Sequence, residues 1–369
     1  TILVALGNKI PDCIASKNSA KQTHAYPSTT SRTNSQTLEN STNLCDALVT
    51  QQHQKKGFSE EASHIIQQSR SIKTSNQYSS HIREWIKYCK KHNVHPLEPF
   101  PYQVTNFLEF YRLRDNLSVS SINTARSALS AVITFEESPI GQHTDVTVYM
   151  KALEKVFPKT PKYKYIWDAA QVLRYLTRWS PVEQLDLRLL AYKLLMLLLL
   201  ATGQRVQSIA CLDVTKIQFS GGKAIFRVDD KLKTSKPGIS TYFTVKEYPP
   251  NRALCPLRYL KHYIKCTAHK RKSNKLFIAC DRPHHAVTSQ TLSRWAKTVL
   301  KVSGISNKFG AHSTRSASTS SAFYQGVSLN FILECATWKR DNTFRKWYNK
   351  PIEKDNDFQN KVFDTHLKK

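Results

Sequence analysis

The spacing of apolar residues divides the chain into one stretch without a pattern and two stretches with one. Residues 1–56 are rich in Ser, Thr, Asn and Gln, hold few aromatics and show no sustained period. Such a composition buries too little apolar surface to offset the entropy of an ordered backbone, so residues 1–56 are expected to be disordered. From Ser71 onward, Ile72, Tyr78, Ile82, Trp85, Ile86, Tyr88 and Cys89 recur at steps of three and four. That is the period of an amphipathic helix, here ending before His95-Pro96. A second helix follows Pro101 with Val104, Phe107, Leu108 and Tyr111 inward. A third starts at Ser118 or Ser120, whose hydroxyls can cap it, and carries Ile122, Ala125, Leu129, Val132 and Ile133 on one stripe. A shorter fourth covers about 146–157. Four helices on short loops, without alternating strands, predict an all-α bundle over residues 57–157.

Two prolines and three lysines between Pro158 and Lys164 break the helical period, which makes 158–168 the expected linker. The second patterned stretch, 169–350, opens with a helix from Ala169 to Trp179 and a long apolar helix from Leu185 to Ala201, halted at Thr202-Gly203. Gly203 can adopt the left-handed backbone that ends a helix. Gln204 to Ala210 then reads as a fresh helix start, which puts Arg205 at the junction, beside exposed backbone N–H groups that suit an anion. Two β-like runs, 224–228 and 241–245, flank a segment containing Pro237-Gly238 and predict a hairpin, with a third strand over 216–219. Helices are expected near 256–268, 288–303, 313–325, 328–336 and 341–348, a small strand at 275–279, and a polar tail over 351–369. The fold class is therefore mainly α with a small β-sheet: a helical bundle followed by an α+β domain.

Charge then narrows the partner. The chain carries 55 Lys and Arg against 27 Asp and Glu, a formal charge of +28, which points to a polyanion, with nucleic acid as the default. A spanning helix is not expected, because the most apolar run, Leu194 to Leu200, is short and follows Lys193 and Arg188. The bundle's polar faces carry Lys73, Arg83, Lys87 and Arg126, and the linker carries Lys159, Lys162 and Lys164, all candidates for tracking phosphates. Eight scattered cysteines without a CxxC pair argue against a zinc site or a disulfide scaffold and read as thiols of an intracellular protein. The opening at Thr1 reads as a piece of a longer product. The run His269-Lys270-Arg271-Lys272 suits a nuclear-import signal or a phosphate-touching loop.

The chemistry centres on AHSTRSAS, residues 311–318, where His312 and Arg315 stand one helical turn apart and can face one anion. In order along the chain stand Arg205 after the apolar helix, Lys233 in LKTSKPG, His312 and Arg315, Trp338 in ATW, and Tyr348 in TFRKWYNKPI. Taken singly, each is as well explained by packing, capping or solvation. As an ordered set they resemble the tyrosine recombinase and integrase family, and the preceding bundle resembles its SAM-like core-binding domain. The phrasing of TGQRVQSI, LKTSKPG, AHSTRSAS and TFRKWYNKPI is similar to recombinases of DIRS-like and Ngaro-like retroelements. The resemblance implies a DNA strand breaking and rejoining enzyme that needs neither metal nor cofactor, acts on double-stranded DNA, self-associates on it and works in the nucleus. It implies Tyr348 as nucleophile and Lys233 as the acid for the departing 5′-hydroxyl, with Arg205, Arg315, His312 and Trp338 around the phosphate. Electrostatics supports that division, since two guanidinium groups match the oxygens of a five-coordinate phosphorus.

Three departures accompany the resemblance. Ser208 stands where the family often has an acidic residue three positions after the first arginine. Trp338 and Tyr348 are ten apart instead of nine, with Trp347 in the nine-spaced position, and Trp cannot attack phosphorus. Lys236 competes with Lys233 for the acid role. Two other readings stay open: a domesticated DNA-binding protein without turnover, and a type IB topoisomerase.

Overall fold

The computed structural model describes residues 44–230, 238 and 240–352. Its contacts separate the chain into two compact units, with the boundary between Lys159 and Thr160.

The first unit is helical. Its described elements are α1 (Leu44–Lys55), α2 (Glu60–Gln68), α3 (Ile72–His92), α4 (Pro101–Arg114), α5 (Val119–Ser130), α6 (Thr144–Val156) and a two-residue ladder, β1 (Thr134–Phe135) with β2 (Ser138–Pro139). The hydroxyls of Ser71 and Ser118 accept the N–H groups of Thr74 and Ser121, which fixes where α3 and α5 begin. Asn93, with φ 52°, ends α3. The core joins Ile82, Trp85 and Cys89 of α3 to Val104, Phe107 and Leu108 of α4, Ile122, Ala125 and Leu129 of α5, and Val146, Met150 and Leu153 of α6. The Trp85 indole N–H donates to the carbonyl of Pro96 at 2.9 Å, so this buried ring leaves no polar atom unpaired.

The expectation of disorder through residue 56 fails at its end. Residues 44–55 form α1, which places Val49 in the same core at 1% exposure. Polar side chains do much of the docking: Ser75 Oγ donates to Asp46 Oδ1, and Gln67 Nε2 donates to Thr50 Oγ1. One buried apolar residue among those described makes no period, and such a helix owes its stability to packing against its neighbours. Residues 1–43 lie outside the described residues.

The second unit is built on α8 (Leu187–Thr202), which is buried on nearly all sides from Leu189 to Leu199. Asp186 caps its start by accepting from Leu189 N, and Gly203, at φ 57°, ends it as expected. Around it lie α7 (Ala169–Thr177), α9 (Val206–Ala210), α10 (Pro256–Thr267), α11 (Ser289–Val302), α12 (Ser313–Tyr324), α13 (Leu329–Cys335) and the short α14 (Asp341–Thr343). One antiparallel sheet has the order β3 (Ile217–Ser220), β4 (Lys223–Val228), β5 (Thr241–Lys246), with Phe226 opposite Phe243. The strand expected at 275–279 reduces to isolated bridges, Asp213 to Lys275 and Ile278 to Ala286. Lys193 is fully buried, although it looked like an interruption of the apolar run. The expected linker is also shorter than 158–168, since Ile166 and Trp167 are buried in this unit. Among the described residues no helix is long and apolar enough to cross a membrane.

Candidate active site

Helix α12 is the scaffold of the site. His312 precedes its first residue and is exposed, while Arg315 lies in its first turn and is 0% exposed. An arginine is rarely buried unless paired, yet among the described residues no carboxylate bridges Arg315. Its Nη1 donates to the carbonyl of Gly203 and its Nη2 to that of Ala336, each at 2.5 Å. The first carbonyl closes α8 and the second follows α13, so one guanidinium ties three helices together. Its Nε has no hydrogen-bond partner among the described residues. Burial first, and then the charge of nearby Arg205, push the Arg315 pKa below the ordinary arginine range, while Tyr348 opposes them. A buried cation with a second cation beside it and no anion among the described residues is arranged for an anion that arrives from outside.

Arg205 is half-buried at the N-cap of α9, the turn that Gly203 makes possible. An added Cβ at Gly203 would stand 3.1 Å from Thr319 Cγ2, in addition to the strain of its positive φ. Gln204 supports the turn by donating from Nε2 to the carbonyl of Cys335 at 2.7 Å.

Trp338 packs on the other side of Arg315, with the guanidinium carbon 4.1 Å from its ring centroid. Its indole N–H is buried and without a partner among the described residues, a second donor awaiting an acceptor. Ile332, Ala336 and Phe344 complete the small apolar cluster that holds the ring.

Tyr348 closes the constellation. Its hydroxyl lies 2.9 Å from His312 Nε2, and its ring centroid is 4.6 Å from that of Trp338 and 5.5 Å from the Arg315 guanidinium. The ten-residue spacing finds its explanation here. Residues Phe344–Tyr348 form a π-turn, in which Asn349 N donates to Phe344 O at 2.8 Å across five residues. A π-turn carries one more residue per turn than an α-helix, and such turns occur often at functional sites. Trp347 consequently points to solvent, at 36% exposure, and Tyr348 turns inward.

Of the six expected catalytic residues, Tyr348 touches His312, Arg315 and Trp338, Arg315 also touches Trp338, and Arg205 is within electrostatic range of Arg315. Lys233 and its competitor Lys236 lie outside the described residues. Ser208, in the position where the resembled family often has an acid, is buried. Among the expected DNA-contacting residues, Lys73, Arg83 and Lys87 are exposed on α3, although Lys87 pairs with Glu84 at 2.8 Å. Arg126 is half-buried and lines a cavity of about 310 Å³ with Ser127, Ser130, Gly141, Gln142 and Thr147. Lys159, Lys162 and Lys164 are exposed, with Lys159 3.8 Å from Glu154. The run at 269–272 is partly structural, because Arg271 donates to the carbonyls of Lys275 and Leu276. Among the described residues no cluster of three or more His, Cys, Asp or Glu is placed to hold a metal ion.

Residues that the motif reading passed over complete the support. Trp167 Nε1 donates to Ser313 Oγ at 2.8 Å, and Ser313 Oγ donates to Gly310 O. Ser316 and Ser320 reach the backbone of Tyr348. The available signal was the run of Ser and Thr through α12, residue types that are indifferent helix formers and that often serve by bonding to backbone.

A family model described as the phage integrase family matches residues 171–354. Among solved structures, the XerH site-specific recombinase bound to palindromic difH substrate, in its post-cleavage complex, is 14% identical with a TM-score of 0.54 and 80% of each chain covered. A lambda integrase dimer bound to a COC′ core site is 21% identical with a TM-score of 0.48, covering 78% of this chain and 75% of that one. The likeness to XerH is one of fold. No curated protein matches the chain. The matched residues take in all five of the described residues gathered at α12, and it is over residues 171–354 that the chain matches the phage integrase family.

Proposed function

We propose that the protein is a site-specific DNA recombinase that cleaves and rejoins double-stranded DNA through a 3′-phosphotyrosyl bond. The observation that carries this reading is the Tyr348 hydroxyl held 2.9 Å from His312 Nε2 beside a buried Arg315 that has no carboxylate partner among the described residues. A phosphodiester entering there would meet two guanidinium groups, the free Nε of Arg315 and the free indole N–H of Trp338. Tyr348 Oη attacks phosphorus, a P–O(Tyr) bond forms and the P–O5′ bond breaks. The tyrosine proton passes to His312, and the leaving 5′-oxygen takes a proton from Lys233. The reverse step, with the 5′-hydroxyl of a second strand, reseals the DNA without an external energy source.

The charge of +28 and the exposed lysines of α3 support duplex DNA as the partner. Exchange between two duplexes needs more than one active site, so the working form is an assembly of several copies. The motif phrasing supports integration of a DIRS-like or Ngaro-like element as the biological task, carried out in the nucleus of its host.

The test uses a pool of randomised duplexes nicked on one strand, from which SDS-stable protein–DNA adducts are recovered and sequenced. Wild type is expected to yield adducts and Tyr348→Phe none. Adducts that persist in Tyr348→Phe remove Tyr348 from its role. A wild type that binds DNA in a salt-dependent way but forms no adduct is a binding protein and not a recombinase.

A further inference from the structure

The end of a helical segment leaves its last carbonyls without intrahelical donors, and the π-turn that ends at Tyr348 is no exception. The carbonyl of Tyr348 is met instead by two hydroxyls of α12: Ser316 Oγ and Ser320 Oγ each donate to it at 2.7 Å. The two serines are four residues apart and so share one face of α12. Ser320 Oγ also accepts from Lys350 N at 3.1 Å, so a single hydroxyl grips the chain on both sides of Asn349. Both serines are buried, at 5% and 0% exposure, and their bonds do not compete with bulk water. Beyond them the chain is pinned once more, where Ile166 N donates to Pro351 O at 2.9 Å.

Ser316 follows Arg315 directly. The helix that aims the cation therefore also fixes the backbone from which the tyrosine projects. A rigid-ringed tyrosine side chain extending from a backbone held at its own carbonyl has little freedom left beyond χ1 and χ2. The hydroxyl's 2.9 Å approach to His312 depends on that restraint. Neither serine touches the reacting atoms.

We propose that Ser316 and Ser320 are positioning residues that clamp the Tyr348 carbonyl to α12 and so set the attack geometry of the nucleophile. The proposal rests on Tyr348 being the nucleophile, and the test separates the two. Its substrate is a nicked duplex recovered with wild type from the randomised pool, so that failure of the nucleophile assignment shows first, in Tyr348→Phe. A second substrate has the same sequence but carries p-nitrophenol on its 3′-phosphate. Joining it to a 5′-hydroxyl strand, measured with Tyr348→Phe added to every protein compared so that the tyrosine cannot displace p-nitrophenol first, requires the phosphate pocket but no tyrosine.

For the double variant Ser316→Ala with Ser320→Ala, the adduct rate is expected to fall at least about tenfold while p-nitrophenol-dependent joining stays within about twofold of wild type. Ser316→Ala alone keeps one hydroxyl on the carbonyl and tests the idea if the double variant does not fold. It should lose adduct rate to a smaller extent, with joining again unchanged. An unchanged adduct rate overturns the proposal. So does a parallel loss of both reactions in the single variant, which would make the serines supports of the whole pocket and not of the tyrosine.

Discussion

Lys193 offers a stability experiment whose sign follows from its surroundings. Its side chain is fully buried in α8, and Nζ donates to the carbonyl of Trp179 at 2.5 Å and to Tyr259 Oη at 2.8 Å, with the tyrosine ring centroid 4.2 Å away. Among the described residues no carboxylate pairs with it, and burial pushes its pKa down to about 7. An unfolded lysine titrates near 10.4. The folded state therefore binds this proton less well than the unfolded state. The stability it contributes is present above about pH 10, declines as pH falls towards 7 and levels off below that. Between about pH 9.5 and 7.5 the loss amounts to roughly 2 to 3 kcal/mol.

Lys193→Met removes that titration and keeps most of the packing. The carbonyl of Trp179 retains the Tyr259 hydroxyl as a donor at 3.1 Å, so the lost hydrogen bonds cost on the order of 1 kcal/mol. Denaturant unfolding of wild type and variant at the two pH values, followed by the transition of the second unit, gives the difference directly. Groups common to both proteins cancel. The variant should be more stable than wild type at the lower pH, and its advantage should shrink or reverse at the higher one. A stability difference that is the same at both values would show that Lys193 stays protonated in the fold, and the reasoning from burial would be wrong.

Other outcomes follow from single contacts. Gly203→Ala should destabilise the second unit by about 1 to 2 kcal/mol, because a non-glycine residue at φ 57° is strained and its Cβ meets Thr319 Cγ2. Adding Thr319→Ser, which deletes that methyl, should recover part of the loss in a thermal melt. Val49→Ala should cost about 2 kcal/mol in the first unit's unfolding transition, and no cost would mean that α1 is not part of the core. Arg315→Lys cannot reach the carbonyls of both Gly203 and Ala336, and should lower the adduct rate by about 10²- to 10³-fold while DNA affinity in a filter-binding assay changes by a few-fold.

The contrast between α3 and α1 shows what an apolar pattern can and cannot report. In α3 the buried residues Ile82, Trp85 and Cys89 recur at helical steps, and the serine before it supplies the cap, so its course is readable from sequence. Helix α1 buries Val49 among the described residues and docks through Asp46 and Thr50, which carry no hydrophobic signal. The burial of Lys193 was unreadable for the opposite reason: a charge beside an apolar run normally marks a surface, whereas here a carbonyl and a phenol hydroxyl satisfy its amine. At the candidate site, the set was picked out by its order along the chain, which resembles a known family, and phosphate chemistry gives that set of cations, donors and a hydroxyl a rationale. The serine clamp was not, since Ser316 and Ser320 act on backbone, and nothing in a sequence says which carbonyl a hydroxyl will meet.

The π-turn at Phe344–Tyr348 carries a lesson about insertions. Adding a residue to an α-helix normally rotates everything beyond it by about 100°, which would swing a tyrosine away from its phosphate. A local i→i+5 turn swallows the extra residue within one loop of backbone and returns the chain to phase, as Asn349 N bonding to Phe344 O records. The distance between Trp338 and Tyr348 in space is thereby decoupled from their distance in sequence. Deleting one residue from Asp341 to Lys346 should let the turn relax to α-helical pitch with Tyr348 still inward. A chain one residue shorter here would then be an alternative winding of the same site, and a search that insists on a nine-residue spacing will light on Trp347 and miss Tyr348.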